Sequence, residues 1–183
     1  MPIYKLSSLL FISFLSASCT FSPSSPKGPD LGKPMTQEDV RKLDISIGPD
    51  GIGLPSGSGN AISGQKVYIA KCQSCHGEKG LGKPADALVG GINSLATNKP
   101  IRTVGSFWPY ATTLFDYTRR AMPLQNPKSL SNEEVYAVTA YVLYLNGIIS
   151  EDYLLSNQNL AAIKMPNKDG FIDFSKQGSV QYK

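Results

Sequence analysis

One pentapeptide, Cys72-Gln-Ser-Cys75-His76, constrains this chain more than any other feature, because it holds two of the three cysteines and the only histidine. Two thiols at i and i+3 followed directly by an imidazole form the c-type haem attachment signature. The spacing has a mechanical basis. A haem presents vinyl groups on neighbouring pyrroles, so thiols three apart reach both as thioethers and the next side chain is left over the iron. Cys72 and Cys75 are therefore the expected covalent anchors of one haem c, and His76 its expected proximal ligand. A thioredoxin-like dithiol belongs in a βαβ context that the flanking pattern lacks. Tetrahedral zinc needs four ligands, and only two thiolates and one imidazole are at hand locally.

A single histidine excludes bis-histidine iron within the chain, so the sixth ligand must be another side chain. Met1 is expected to leave with an N-terminal signal, which leaves Met35, Met122 and Met165. Met122 is preferred: it ends a predicted helix just before the last helix, where a loop can bring a thioether to the far face of the haem. Its ordinary alternative is core packing, the usual work of methionine. Met165 carries the same Met-Pro dipeptide but lies in a tail, and Met35 is further still from the pattern. A thioether ligand would raise the reduction potential and fill the iron, which favours electron transfer. An open sixth site would suit a haem sensor or small haem enzyme instead.

Length and charge narrow the rest. A chain of 183 residues suits one compact domain, and 18 Lys plus Arg against 14 Asp plus Glu, without long basic runs, argues against a nucleic-acid partner. Residues 1–18 read as a signal peptide: Lys5 precedes an apolar run to Leu15 that is too short for a membrane span. Ser16-Ala17-Ser18-Cys19 resembles a lipobox, which would make Cys19 a lipid anchor; ordinary cleavage nearby would leave it a spare thiol. The expected location is the periplasm, with the membrane reached only through that lipid. A structural lipoprotein with a dithiol is the reading furthest from the motif. Residues 20–34 carry Pro23, Pro26, Pro29 and Pro34 among Ser and Gly, the composition of a tether.

Along the mature chain, a short helix is expected over residues 35–43, followed by a loop with five glycines and two prolines over 47–59. Gly64, Tyr68 and Cys72 recur at four-residue intervals on one face of a helix that begins near Ala61 and runs into the motif. Residues 77–106 read as a loop with at most a helical turn near 85–89. A helix follows over 112–121, stopped by Met122-Pro123. The last helix opens on the Ser131-Asn-Glu-Glu134 capping box, carries Val135, Val138, Val142 and Leu145, and ends at Asn146-Gly147. One weak helical patch is expected around 154–163. The expected organisation is all-α: a tether and wrapping segment over 19–60, a helical domain over 61–147 and an irregular extension over 148–183.

Phe107, Trp108, Tyr110, Phe115 and Tyr117 place five of the seventeen aromatics within eleven residues. They are expected to wall the haem, with Trp108, Tyr110 or Arg102 also reaching a buried propionate; ordinary core packing is the plain alternative. Arg119 and Arg120, with Lys71, Lys79 and Lys83, suggest a basic rim for an acidic partner, against the simpler reading of a solvated helix end.

The Gly64, Tyr68 and Cys72 spacing, the haem motif, the Met-Pro dipeptide and Tyr141 in the last helix resemble class I cytochrome c. Thr103-Val-Gly-Ser-Phe-Trp-Pro-Tyr-Ala-Thr-Thr-Leu-Phe-Asp-Tyr117, Arg120-Ala-Met-Pro123 and Leu130-Ser-Asn-Glu-Glu-Val-Tyr-Ala137 are similar to the cytochrome c subunits of bacterial sulfite and sulfur dehydrogenases. So are Asp44-Ile-Ser-Ile-Gly-Pro-Asp-Gly51 and Met165-Pro-Asn-Lys-Asp-Gly-Phe171. The resemblance implies a small class I cytochrome c fold with irregular extensions, haem on Cys72 and Cys75, and His76 and Met122 on iron. It also implies electrons from a molybdopterin subunit oxidising sulfite or a related sulfur species, passed on to a downstream cytochrome or oxidase. A free-standing carrier for another dehydrogenase is the alternative. The chain departs from fused, two-haem relatives in having one CxxCH, and the lipobox-like Cys19 is a further departure.

Overall fold

The computed structural model describes residues 31–172. The chain divides into two compact units after Thr36. Of the first, residues 31–36 are described and hold no regular secondary structure. The expected signal peptide and Cys19 lie outside the described residues.

The second unit is mostly helical, as expected. In order come α1 (Gln37–Leu43), β1 (Ser58–Gly59), α2 (Ala61–Lys71), α3 (Gln73–His76), α4 (Val104–Phe107), α5 (Ala111–Ala121), α6 (Asn132–Leu145) and β2 (Leu155–Ser156). Single 3-10 turns form at Glu78–Gly80 and Leu160–Ala162. The turn expected near 85–89 is not helical. Order in that connection comes instead as α4, whose Thr103 hydroxyl caps the Ser106 N–H at 3.2 Å while the Ser106 hydroxyl accepts from the Thr103 N–H at 2.9 Å. The patch around 154–163 forms a strand and a 3-10 turn rather than a helix.

Helix α6 is the centre of the fold. Its starting box is closed at both ends, Ser131 Oγ accepting from Glu134 N at 3.2 Å and Glu134 Oε2 accepting from Ser131 N at 2.8 Å. From Val135 to Leu143 every residue is buried, which marks a helix enclosed on all sides rather than one with a single apolar stripe. It packs against α2, α5, α4 and both strands. Asn146 ends it and Gly147 follows at φ 69°, a conformation that suits glycine.

The α2 and α6 backbones meet at Gly64. A Cβ there would stand 1.9 Å from the Ala137 carbonyl oxygen and 2.8 Å from Tyr141 Cβ, so no other residue allows the approach. One turn further along each helix, Tyr68 and Tyr141 pack ring against ring, centroids 5.3 Å apart. The glycine thus sets how deeply α2 lies on α6, and through that where the motif following α2 sits.

Segments at both ends of the unit are tied to this core. Asp116 accepts from the Ile47 N–H at 3.0 Å, the Tyr136 hydroxyl donates to the Pro55 carbonyl at 2.8 Å, and Asn132 Nδ2 donates to the Ser56 carbonyl at 3.3 Å. β1 then pairs antiparallel with β2, Ser58 opposite Ser156 and Gly59 opposite Leu155. Leu155, Leu160 and Met165 are buried in the same core.

Candidate haem site

The motif lies where α2 gives way to α3. The Cys72 N–H still donates to the Tyr68 carbonyl at 2.9 Å, and the Cys72 carbonyl accepts from Cys75 N at 3.1 Å and His76 N at 2.9 Å. The chain therefore turns without losing its backbone hydrogen bonds. Gly77 breaks the turn at φ 74°, and a Cβ there would stand 2.2 Å from the Gly82 carbonyl oxygen. The Tyr68 hydroxyl donates to the Gly77 carbonyl at 2.8 Å, bracing the motif back onto α2. Burial pushes the Tyr68 phenol up to about 12, so it remains a donor at neutral pH.

The connection after the motif folds back beneath it. Gly82 N donates to the His76 carbonyl at 2.8 Å and Ala85 N to the Cys75 carbonyl at 2.9 Å. This brings the Asp86 carbonyl 3.0 Å from His76 Nδ1. A carbonyl only accepts, so Nδ1 carries the proton and Nε2 keeps its lone pair, the state in which imidazole binds a metal.

Cys72, Cys75, His76 and Met122 line one cavity of about 410 Å³. Most of its wall is hydrocarbon or aromatic: Leu88, Val104, Trp108, Leu114, Val138 and Val142, with Pro84 and Pro123. Such a site suits a flat apolar ring better than a small polar substrate. Burial pushes the Cys72 thiol up to about 11, with a smaller contribution from Cys75, so it is protonated at neutral pH. A redox dithiol needs the opposite shift. Among the described residues no three His, Cys, Asp or Glu side chains group to hold a metal ion. The residues present fit a covalently held haem, and they offer a tetrahedral zinc only two thiols and one imidazole.

Of the three methionines considered, Met122 is on the cavity wall. It caps α5 in an extended conformation, its N–H donating to the Thr118 carbonyl at 3.1 Å. Met165 is buried in the core and is absent from the wall; Met35 is 52% exposed. Of the aromatic cluster, Trp108 and Tyr117 line the cavity and pack edge to face at 5.9 Å. Phe115 lies in the core against Tyr136, centroids 4.4 Å apart, and Phe107 packs on Phe171 at 5.3 Å. Arg102 sits over the Phe107 ring at 5.4 Å, and Tyr110 precedes α5 at its N-cap; neither lines the cavity.

The basic rim divides. Lys71 is on the cavity wall, but Arg120 is bound through Nε and Nη2 to Asp116, and Arg119 Nη1 donates to the Ile45 carbonyl at 3.3 Å. These two guanidinium groups are engaged by acceptors of the fold, although the Arg120 side chain stays 46% exposed. The sequence reading missed Leu88, Leu114 and Thr118 on the wall. The α5 periodicity, 114, 118 and 122, was the available signal.

Residues 59–142 match the family model described as cytochrome c oxidase, cbb3-type, subunit III. No curated protein matches the chain. A chain in the crystal structure of the sulfane dehydrogenase SoxCD from Paracoccus pantotrophus matches with a TM-score of 0.74 and 36% identity, over 81% of this chain and 75% of that one. Among the described residues no helix is long and apolar enough to cross a membrane. The CxxCH turn on the end of α2, the glycine crossing of α2 and α6, and the likeness to both relatives agree, and the chain belongs to the class I c-type cytochromes.

Proposed function

We propose that the chain is a monohaem electron carrier that accepts single electrons from a periplasmic molybdopterin-containing sulfite or sulfur dehydrogenase and delivers them to a downstream cytochrome or oxidase. The observation that carries this reading is the convergence of Cys72, Cys75, His76 and Met122 on one apolar cavity. Cys72 and Cys75 would hold the haem covalently, and His76 Nε2 and the Met122 thioether would ligate its iron. The haem supplies a reversible one-electron couple.

The chain's own residues do the rest. The Asp86 carbonyl holds the His76 ring in the right tautomer, and Leu88, Val104, Leu114, Val138 and Val142 keep water from the site. With both His76 and Met122 as ligands, no coordination site would remain for a substrate, which favours carriage over chemistry at the metal. The likeness to a chain of a sulfane dehydrogenase supports a sulfur-oxidising donor. Oxidation of sulfite to sulfate by water releases two electrons and two protons, so two carrier turnovers would serve each substrate molecule. The apolar leader and Cys19 support export, with a lipid on Cys19 holding the carrier at the membrane face.

The test begins with the purified, haem-loaded protein. Its reduced spectrum should be that of a c-type haem, its ferric spectrum should carry the near-infrared band of methionine ligation, and that band should vanish in Met122→Ala and persist in Met165→Ala. Addition of sulfite or a sulfane substrate together with the copurifying molybdenum protein should reduce the haem. Haem that stays oxidised in that mixture would remove the sulfur dehydrogenase as donor while leaving the carrier intact.

A further inference from the structure

We infer that Asp116 is a positioning residue for the Met122 thioether, acting by clamping the segment around 45–47 onto the end of α5; the inference rests on Met122 being the sixth ligand. Helix α5 has two working faces. Leu114, Tyr117, Thr118 and Met122 look onto the cavity, while Asp116, Arg119 and Arg120 hold chain from outside. The Asp116 carboxylate is nearly buried, with the residue 7% exposed. Its Oδ1 accepts from the Ile47 N–H at 3.0 Å and from Arg120 Nε at 3.0 Å. Its Oδ2 accepts from Arg120 Nε at 3.0 Å and from Nη2 at 2.5 Å. Arg119, one residue earlier than Arg120, takes the Ile45 carbonyl. Ile47 itself is buried in the core.

The placement matters because of what lies beyond it. After Met122 and Pro123 the chain is exposed from Leu124 to Ser129, and the side-chain hydrogen bond from that stretch, Gln125 Nε2 to Cys75 Sγ, is long at 4.0 Å. Helix termini fray unless tied down, and this one carries a ligand whose bond to iron depends on its position. The clamp supplies the restraint within the last two turns of α5. A buried carboxylate with this many donors is a costly way to stabilise a fold, since apolar packing of similar volume does as well or better. What it supplies in return is register: two polar groups on segment 45–47 meet α5 at one height and one rotation. Asp116 thereby fixes the axial and rotational setting of the helix that ends in Met122.

The experiment uses ferric, haem-loaded full-length protein and imidazole as a probe, because imidazole binds the iron only when the methionine leaves. Asp116→Ala should raise the apparent imidazole affinity tenfold or more and diminish the near-infrared methionine band. Arg120→Gln should do the same to a smaller extent, and Asp116→Glu should restore part of the wild-type behaviour. The control is Asn132→Ala, which frees the same wrapping segment at Ser56, away from α5. It should lower the urea midpoint yet keep imidazole affinity within twofold. If Asp116→Ala fails to mature, Arg120→Gln and Arg119→Gln decide by the same readout. Imidazole affinities within twofold of wild type in the arginine variants and any folded Asp116 variant would overturn the inference, as would an equal rise in Asn132→Ala. A wild-type protein without the methionine band would remove the Met122 assignment and the inference with it.

Discussion

Replacing Gly64 with alanine sets two effects of known size against each other. Alanine is the better helix former, and in an exposed helix interior the change stabilises by about 1 kcal/mol. Here the added methyl would stand 1.9 Å from the Ala137 carbonyl oxygen, 2.5 Å from its carbon and 2.8 Å from Tyr141 Cβ. Ordinary contact begins near 3.4 Å, so α2 must withdraw from α6 by about 1.5 Å. The obstacle is helix backbone, which cannot rotate aside as a side chain can. A gap of about 0.5–1 Å already forfeits a quarter to a half of the attraction between packed atoms. The contacts at stake include the Tyr68 and Tyr141 rings and the face of α6 that carries Val138 and Val142. Overpacking of this severity belongs at or above the upper end of the usual range, about 3 kcal/mol. The net effect should therefore be destabilising by about 2 kcal/mol or more, despite the gain in propensity. Urea unfolding followed by far-ultraviolet dichroism and by Soret absorbance measures it, with Lys66→Ala on the exposed face of the same helix as the control, expected within about 0.5 kcal/mol of wild type. The reasoning fails if Gly64→Ala is as stable as wild type or more so, since the close crossing would then not govern how the motif-bearing helix lies.

Other expectations follow from single contacts. Asn146 is buried, donates to the Val142 carbonyl at 2.9 Å and the Leu88 carbonyl at 3.1 Å, and accepts from Gly90 N at 3.2 Å. Asn146→Ala should cost about 2–3 kcal/mol by urea unfolding and loosen the Leu88 wall, because it leaves the Gly90 N–H without this acceptor; a loss under about 1 kcal/mol would show that water replaces these bonds fully. Burial pushes the Tyr136 phenol up to about 12, from the ordinary 10.0 of a tyrosine. Its contribution to stability is therefore complete below pH 10 and is lost as the pH rises from there through about 12. Tyr136→Phe should flatten the alkaline limb of the stability curve in that window, and an unchanged limb would count against Tyr136 as its source.

The site was legible where chemistry is local. Cys72, Cys75 and His76 announce themselves by spacing, and the Ser131 capping box with its apolar periodicity marks α6 to within a residue at either end. Gly64 and Tyr68 were readable as one helical face because four-residue periodicity is intrinsic to the helix. Helix α4 was hidden, since four residues hold too little periodicity, and its sign was the Thr103 and Ser106 pair that closes the cap. The pairing of Gly59 with Leu155 could not be read, because a two-residue strand has no alternation and its partner lies nearly a hundred residues away. Distance along the chain also concealed the role of Asp116, 69 residues from Ile47. Seen alone in sequence, Arg119 and Arg120 resemble solvated charge at a helix end; the folded position of Ile45 gives Arg119 an acceptor, and that of Ile47 gives Asp116 a second donor beside Arg120.

The short ladder between Ser58–Gly59 and Leu155–Ser156 has one more consequence. It brings the chain running into α2 alongside the chain that has left α6, at the roughly 4.8 Å separation of paired strands. The ninety-odd residues between them close on themselves like a loop tied at its neck, with the Ala61 N–H fastened to the Glu151 carbonyl at 3.2 Å just inside the knot. The neck is not the edge of the fold, because Ile47, Leu160 and Met165 lie outside that loop and are buried in its core. A fragment cut at Ser58 and Ser156 would therefore expose apolar surface that the whole chain buries, and the flanking segments belong to the packed unit.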